Sequence, residues 1–318
     1  MTLKLTGFHH LTAITANAPQ NLSFYRDTLG LRLVKKTVNQ DDTSAYHLFY
    51  ADEEGSAGTD ITFFDWPAAP EKRGSGSVCR TGFRVPSEDS ITYWQERLSG
   101  AAVVLTEPRE LDGRTVLDFE DPEGQRLRLI ADSKGPKGAP RPASGIPAEH
   151  QIQGLGTISL SVAELEPTEV VLTRVMNMEK ARSYEDDGRT IHVFVMSGGG
   201  SETELHVAVE PDLPPVRPGR GGVHHVAFRT PDREGLTAWT ERLREFRVPS
   251  SGEVERFYFR SLYFRIPAGV LFEIATDGPG FDADEPMETM GESLSLPPFL
   301  EPRRDEIEAG LKPLENAS

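Results

Sequence analysis

The chain has 318 residues, 37% of them hydrophobic and 26% charged, which describes a globular protein long enough for two ordinary domains or one large one. Its 34 basic residues against 50 acidic ones give a formal charge of −16, which argues against nucleic acid and anionic lipid as partners. With one cysteine, no signal-peptide core and no apolar run of membrane-spanning length, we expect a cytoplasmic protein that has no intrachain disulfide and contacts no membrane.

The chain begins with a predicted strand, a helix and three more strands, an order abbreviated βαβββ. The strands are predicted at residues 8–15, 31–37, 45–51 and 60–64, and the helix at residues 21–29. Alternating apolar residues indicate the strands. The helix is indicated by apolar residues on one face and by Gly30 at its end.

The same unit recurs three times along the chain. The second copy has strands at 78–85, 115–119 and 125–131 with a helix at 87–98, the third has strands at 156–162, 190–196 and 203–209 with a helix near 167–176, and the fourth has strands at 223–230, 261–266 and 270–275 with a helix at 232–246. We therefore predict an α+β fold of four βαβββ modules, in which pairs of modules close two strongly curved, barrel-like sheets.

Two segments lie outside the modules. Residues 134–147 are rich in Pro, Gly and Ala, which is typical of an exposed linker. The predicted organisation is a first pair of modules over residues 1–133, a linker over 134–150, a second pair over 151–276 and a C-terminal tail over 277–318. A short helix is expected near residues 303–311. The tail either covers the mouth of a cavity or wraps the surface, and we favour the second.

Histidine pairs mark the first strand of two modules. His9 and His10 stand in the first module, and His224 and His225 stand at the matching place in the fourth. Glu273 lies inside an apolar strand, where an unpaired carboxylate is costly. Two imidazoles and one carboxylate are the ligands of the facial triad that binds non-haem Fe(II). We predict that His10, His225 and Glu273 bind one metal ion, which requires modules one and four to face each other.

The other two modules lack this ligand set. In module two, alignment of its turn and first strand with those of module four places Arg128 where module four has Glu273 and Arg80 where it has His225, and two cations cannot bind a divalent metal. In the third module, Glu204 and His206 are possible ligands, although a hydrogen-bonded structural role is favoured for them.

These motifs resemble the vicinal oxygen chelate superfamily, which has the fold of glyoxalases and extradiol dioxygenases. Sequences FHHLT at residues 8–12, VHHV at 223–226 and LFE at 271–273 resemble one branch in particular, the ring-cleaving dioxygenases of hydroquinones such as 2,6-dichlorohydroquinone 1,2-dioxygenase. The resemblance implies that the second His of each pair and the Glu bind Fe(II). It also implies that Tyr263 and Arg256 line the site.

Five residues are candidates for supporting roles. Tyr263 would transfer a proton or hydrogen-bond the substrate oxygen, and Arg256 would stabilise negative charge; a core tyrosine and a surface cation are the alternatives. Thr12 shares a face with His10 and either hydrogen-bonds a ligand or only packs. For His9 and His224, strand alternation points away from the ligands, whereas the resemblance implies contact with them, so both orientations stay open. For Glu273, the alternative is a salt bridge to Arg265.

The sequence thus predicts an Fe(II)-dependent dioxygenase of aromatic catabolism that opens a hydroquinone-class ring with O2, with Mn(II) as a second possible metal and a homo-oligomer as a possible assembly. A catechol extradiol dioxygenase, a metal-dependent glyoxalase-like lyase and a non-catalytic protein that binds small aromatics are the alternatives. A lyase would need another carboxylate near residues 61–63; none is aligned there, and nearby Asp60 is not clearly in register.

Overall fold

The computed structural model describes residues 3–101 and 103–314, which form sixteen strands and five α-helices. Module one contains β1 (Phe8–Thr15), α1 (Ala18–Leu22, continued by a π-helical stretch over Ser23–Thr28), β2 (Arg32–Val38), β3 (Tyr46–Ala51) and β4 (Asp60–Asp65). Module two contains β5 (Ser77–Val85), α2 (Glu88–Ser99), β6 (Arg109–Leu111), β7 (Arg114–Glu120) and β8 (Arg126–Ala131).

Modules three and four repeat this order. Module three contains β9 (Leu155–Val162), α3 (Leu165–Val170, continued by a π-helical stretch over Val171–Val175), β10 (Glu179–Asp186), β11 (Arg189–Val195) and β12 (Glu204–Val209). Module four contains β13 (Val223–Thr230), α4 (Arg233–Glu245), β14 (Ser250–Glu255), β15 (Arg260–Arg265) and β16 (Leu271–Thr276), and α5 (Arg304–Gly310) follows in the tail. Within the described ranges, none of the helices combines the length and apolarity needed to cross a bilayer.

The strands form two eight-stranded sheets, each shared by two modules. One sheet has the order β14-β15-β16-β13-β1-β4-β3-β2 and the other the order β10-β11-β12-β9-β5-β8-β7-β6. Antiparallel pairing of β1 with β13 joins modules one and four, and pairing of β5 with β9 joins modules two and three. The predicted α+β fold and the predicted pairing of modules one and four are confirmed. The division of the chain at 133, 150 and 276 stays a prediction.

Helices α2 and α4 were predictable from the sequence because each has an N-terminal cap residue and one apolar face. Ser87 caps α2 by accepting a hydrogen bond from the backbone N–H of Ser90, and Asp232 caps α4 by accepting from that of Gly235. Trp94 and Trp239 project from these helices and are completely buried in the main core. The helices therefore cover the sheets with the faces that the apolar spacing predicts.

Three strands were not predicted, namely β6, β10 and β14. All three are outermost strands of a sheet, so each pairs with only one neighbour. Strand β10 has the sequence EKARSYED and is mostly exposed, and β14 has the sequence SSGEVE. An edge strand that is wetted on both faces has no apolar alternation to reveal it, and charged residues there discourage pairing with other chains.

The C-terminal tail wraps the free edge of β2. Ser295 donates its backbone N–H to the carbonyl oxygen of Lys36 at 2.9 Å. The completely buried Nζ of Lys35 lies 2.7 Å from Oδ1 of Asp284 and 2.5 Å from Oε2 of Glu285. Tyr258 also donates its hydroxyl to Asp284, at 2.9 Å. The tail is thus fixed to the sheet by a buried cation with two carboxylate partners.

We predict that Lys35→Met lowers the free energy of unfolding by about 3 kcal/mol or more, because it leaves two largely buried carboxylates without their cation. Urea denaturation measures the loss. Lys36→Met is the matched control, since Nζ of Lys36 donates only to the carbonyl oxygen of Glu292 at the surface. Its expected loss is under about 1 kcal/mol. Equal small losses in the two variants would contradict a fixing role for Lys35.

Candidate metal centre

Three side chains from three adjacent strands converge on one point inside the first sheet. His10 lies on β1, His225 on β13 and Glu273 on β16, and all three are buried. Nε2 of His10 is 3.2 Å and Nε2 of His225 is 2.9 Å from Oε2 of Glu273, and the two Nε2 atoms are 3.3 Å apart. One potential ligand atom from each residue therefore lies within 4.8 Å of the others.

The surroundings of Glu273 suit a bound cation. The carboxylate is completely buried, and neither of its oxygens has a partner with hydrogen-bond geometry among the described residues. Burial opposes ionisation of this carboxylate, so an ionised Glu273 needs a positive charge beside it. The alternative partner, Arg265, donates instead to the carbonyl oxygen of Gly269. A buried anion with vacant lone pairs beside two imidazoles is the donor set of a facial triad for Fe(II) or Mn(II).

Two β-bulges explain how consecutive histidines can meet at this point. Phe8 pairs with Phe228 and His10 pairs with Ala227, so His9 is the extra residue on β1. A second irregularity follows, where Thr12 pairs with His225 and Ala13 pairs with Val223, so His224 is the extra residue on β13. A bulge interrupts the alternation of side chains and re-aims the extra one. Strand alternation therefore misplaces His9 and His224, and the orientation implied by the family resemblance is the one found.

The bulged histidines contact the other nitrogen of each candidate ligand. Nδ1 of His9 is 2.9 Å from Nδ1 of His10, and Nδ1 of His224 is 2.8 Å from Nδ1 of His225. Nε2 of His9 is also 2.9 Å from the carbonyl oxygen of Thr276. Burial lowers the pKa of His9, and likewise that of His224, to about 3, so both rings are neutral at neutral pH.

The contact with Thr276 determines the tautomers of His9 and His10. A carbonyl oxygen only accepts, so Nε2 of His9 carries the proton and Nδ1 of His9 must accept. Nδ1 of His10 then donates to His9, so Nε2 of His10 is the nitrogen that offers a lone pair to a metal ion beside Glu273. A hydrogen bond of this kind orients a ligand imidazole and makes it more basic.

A cavity of about 290 Å³ opens beside the three side chains. Its wall is largely aromatic and includes His47, Phe49, Phe64, Trp66, Phe259 and Tyr263. The rings of His47 and Phe49 lie 4.0 Å apart between centroids, and Phe259 packs 5.1 Å from His10. No tail residue beyond 276 lines this cavity in the described part of the chain, so the tail wraps the surface, as favoured from the sequence.

Tyr263 and Arg256 also line the cavity, on the side of module four. Tyr263 lies on β15 directly opposite Glu273, and its ring is 5.8 Å from that of His225. Burial and the charge of Glu273 raise the pKa of the phenol, which is therefore protonated. Arg256 belongs to the connection between β14 and β15. Its Nε donates to the Tyr263 hydroxyl at 3.3 Å, and its Nη2 lies 3.0 Å from Asp41.

Thr12 does not bond a candidate ligand. Its hydroxyl is 2.8 Å from that of Thr62, which in turn is 3.0 Å from Nε2 of His47. Thr12 stands two residues after His10 and is paired with Thr62 on the neighbouring parallel strand. In the same way, Ala227 stands two residues after His225 and is paired with Glu273. Thr62 therefore occupies the place of the second carboxylate that a glyoxalase-like lyase would need.

No role was predicted for His47 from the sequence. The alternation Tyr46-His47-Leu48 could have shown that it faces the same side of β3 as Phe49. The cavity residue Phe259 had no such signal, because it lies in an irregular connection before β15.

In the second sheet, salt bridges fill the equivalent positions. Arg128 on β8 is the strand partner of Gly82 on β5, just as Glu273 on β16 is the strand partner of Ala227 on β13. Arg128 and Glu273 are therefore equivalent in the two sheets, as the sequence alignment predicted. Both guanidinium contacts of Arg128 go to Asp118, at 2.5 and 2.8 Å, and Arg80 lies 3.2 Å from the same carboxylate. The sheet thus has the same architecture but a neutralised interior.

A further trio, Asp112, Glu204 and His206, also lies close enough to bind a cation. However, Arg182 contacts both carboxylates, and Arg114 donates to both oxygens of Glu204. These guanidinium groups already neutralise the acidic charge, so the trio is a structural salt-bridge network, the role favoured for Glu204 and His206 from the sequence.

Comparison with known proteins agrees with this architecture. The family described as "Glyoxalase/Bleomycin resistance protein/Dioxygenase superfamily" matches residues 7–129 and 154–274. In Bacillus subtilis (strain 168), the protein named "Putative ring-cleaving dioxygenase MhqA" is 46% identical and covers 98% of this chain and 100% of its own length. "Chlorohydroquinone/hydroquinone 1,2-dioxygenase" of Sphingobium indicum is 31% identical and covers 96% of this chain and 95% of its own.

Solved structures extend the comparison. One described as "putative dioxygenase from Bacillus subtilis" has a TM-score of 0.91 at 35% identity and covers 99% of each chain. Glyoxalase I from Zea mays has a TM-score of 0.62 at 14% identity over 85% of this chain and 92% of its own, a likeness of fold alone. The chain therefore belongs to the glyoxalase/bleomycin resistance protein/dioxygenase superfamily, as its histidine pairs and its Glu273 motif indicated.

Proposed function

We propose that this protein is a ring-cleaving dioxygenase that uses O2 to open a hydroquinone-class aromatic diol. His10, His225 and Glu273 would hold its metal, Fe(II) in the first place and Mn(II) as the alternative. The observation that carries the proposal is the convergence of these three side chains at an aromatic cavity. It is supported by relatives of full length whose names specify ring cleavage and, in one case, hydroquinone.

Each part of the cavity has a task in this reaction. When bound, Fe(II) supplies the one-electron chemistry that lets O2 react with an aromatic ring. The aromatic wall holds the ring of the diol and excludes water from it. Tyr263, with its protonated hydroxyl beside the triad, donates a hydrogen bond to a substrate oxygen, and Arg256 stabilises the negative charge that develops there.

Two features argue against two of the alternatives, the lyase and the non-catalytic binding protein. A lyase of the same fold would use a second carboxylate at the place that Thr62 occupies, and Thr62 is instead bonded to Thr12 and His47. A non-catalytic binding protein would have no use for the hydrogen bonds that orient both imidazoles.

An oxygen electrode tests the activity. The protein is reconstituted with Fe(II) under argon, and O2 uptake is followed after addition of hydroquinone, catechol or the hemithioacetal of methylglyoxal and glutathione. We expect one O2 consumed per hydroquinone opened and slower uptake with catechol. Tyr263→Phe should lower kcat by about 100-fold without loss of metal. Isomerisation of the hemithioacetal without O2 uptake would contradict the proposal.

We predict that His225→Ala reduces bound metal from one ion per chain to almost none. The variant loses one of three ligands and leaves Glu273 in a site too weak to retain the ion. Metal is measured by atomic spectroscopy after gel filtration, and circular dichroism verifies the fold. His206→Ala is the matched control, because His206 is a buried histidine of the other candidate trio. If the control lost the metal and His225→Ala kept it, the ligand assignment would be reversed.

Substitution of the bulged histidines should weaken metal binding to different degrees. We expect His9→Phe to raise the metal Kd by about 10- to 100-fold, since His9 connects His10 to the carbonyl oxygen of Thr276. His224→Phe should have the smaller effect, because Nε2 of His224 has no such anchor in the described ranges. Competition with a chromogenic chelator measures both constants. Unchanged affinity in both variants would show that neither histidine orients a ligand.

A further inference from the structure

One polar ring stands within the aromatic wall on the side of module one. His47 lines the cavity, and its ring packs 4.0 Å from Phe49 and 4.4 Å from Phe64 between centroids. Its Nε2 is bonded to Thr62 at 3.0 Å, whereas its Nδ1 has no hydrogen-bonding partner in residues 3–101 and 103–314. On the opposite side, Tyr263 and Arg256 already engage each other. His47 is therefore an oriented polar group with one nitrogen still free to bond a ligand.

The hydroxyl groups behind His47 allow that nitrogen either to donate or to accept. Thr62 bonds both Nε2 of His47 and the hydroxyl of Thr12, and each hydroxyl can serve as donor or acceptor. If Thr62 donates to Nε2, then Nδ1 carries the proton; if Thr62 accepts, then Nδ1 offers its lone pair. Burial lowers the pKa of His47 well below 6.5, so the ring is neutral in either case. Nδ1 can thus match a phenolic hydroxyl in either direction.

The place of His47 suits a second oxygen at the far end of the ring. Strand β3, which carries His47, is separated from β1 by β4, so the two backbones lie about 10 Å apart across the sheet. A diol with one oxygen at the triad and the other across the ring extends from β1 toward this wall. Catechol has both oxygens on adjacent carbons at the triad and leaves apolar ring edge against Nδ1 of His47. A polar group that is covered and left unpaired costs binding energy.

We propose that Nδ1 of His47 hydrogen-bonds the second hydroxyl of a para-diol and thereby makes the site specific for hydroquinones. The inference rests on the proposed function, because it takes the first hydroxyl to bind at the triad. Thr62 has a positioning role, since it holds the imidazole through Nε2. The test therefore measures the contribution of the second hydroxyl, free of effects on metal binding or on turnover.

The experiment uses Fe(II)-loaded protein under argon and isothermal titration calorimetry with hydroquinone and with phenol, which lacks the second hydroxyl. The readout is the ratio of the phenol Kd to the hydroquinone Kd, in which general losses of affinity cancel. His47→Asn keeps a hydrogen-bonding group near the position of Nδ1. His47→Gln keeps one near Nε2, for Thr62, but has none at Nδ1. We expect a ratio of about ten or more in the unaltered protein and in His47→Asn, and a ratio near one in His47→Gln.

The outcomes are distinct. A ratio that stays high in His47→Gln overturns the role of His47, as does a ratio that falls to near one in His47→Asn. Absence of any hydroquinone binding to the Fe(II)-loaded, unaltered protein instead overturns the proposed function itself. Should His47→Gln not fold, the isosteric Thr62→Val carries the test, because it removes the hydroxyl that orients the imidazole and that also bonds Thr12, while His47 itself is kept. It is expected to lower the ratio severalfold, and an unchanged ratio overturns the proposal.

Discussion

The buried carboxylate of Glu273 is the constraint on which the architecture of the first sheet depends. An ion in an apolar strand is unfavourable unless other groups compensate its charge, and the described residues offer it no bond with hydrogen-bond geometry. The ligands for a compensating cation are arranged across strands: β13 lies beside β16 and brings His225, and β1 lies beside β13 and brings His10. Joining modules one and four, which are the ends of the chain, is therefore what completes the donor set. Neither module contains it alone.

The two β-bulges place a second histidine behind each candidate ligand. Without them, consecutive histidines would point to opposite faces of the sheet. The second sheet has the same irregularity: Val78 pairs with Leu160 and Arg80 with Ser159, so Cys79 is the extra residue at the place of His224. The bulge thus belongs to the way the modules join. The second sheet has this bulge without a histidine, and in the first sheet histidines occupy it. Each candidate ligand has a bulged histidine beside it because the bulges lie where the modules join.

Sequence patterns revealed the buried parts of this protein and missed the parts governed by edges and irregular backbone. The modules, their pairing and the candidate ligands were predictable because core strands and helices bury regular apolar faces, and because two copies of one histidine pair stand in equivalent strands. Strands β6, β10 and β14 were not, since an edge strand pairs on one side and needs no apolar alternation. The side chain of His9 was placed by a bulge, which alternation cannot foresee, and the cavity residue Phe259 lies in a connection without a pattern.

Comparison of the two sheets separates what the fold requires from what the chemistry requires. The second sheet places Arg128 and Asp118 in a mutual salt bridge where the first places Glu273 beside two imidazoles, and both sheets have eight strands in equivalent order. An internal guanidinium–carboxylate pair satisfies its own charge and hydrogen bonds. The triad does not, because the oxygens of Glu273 remain without such bonds. A fold that had to be only stable would have kept the self-sufficient arrangement in both halves. The unsatisfied carboxylate in one half is therefore a cost that the proposed cation would offset, and for this reason we assign the proposed reaction to that half.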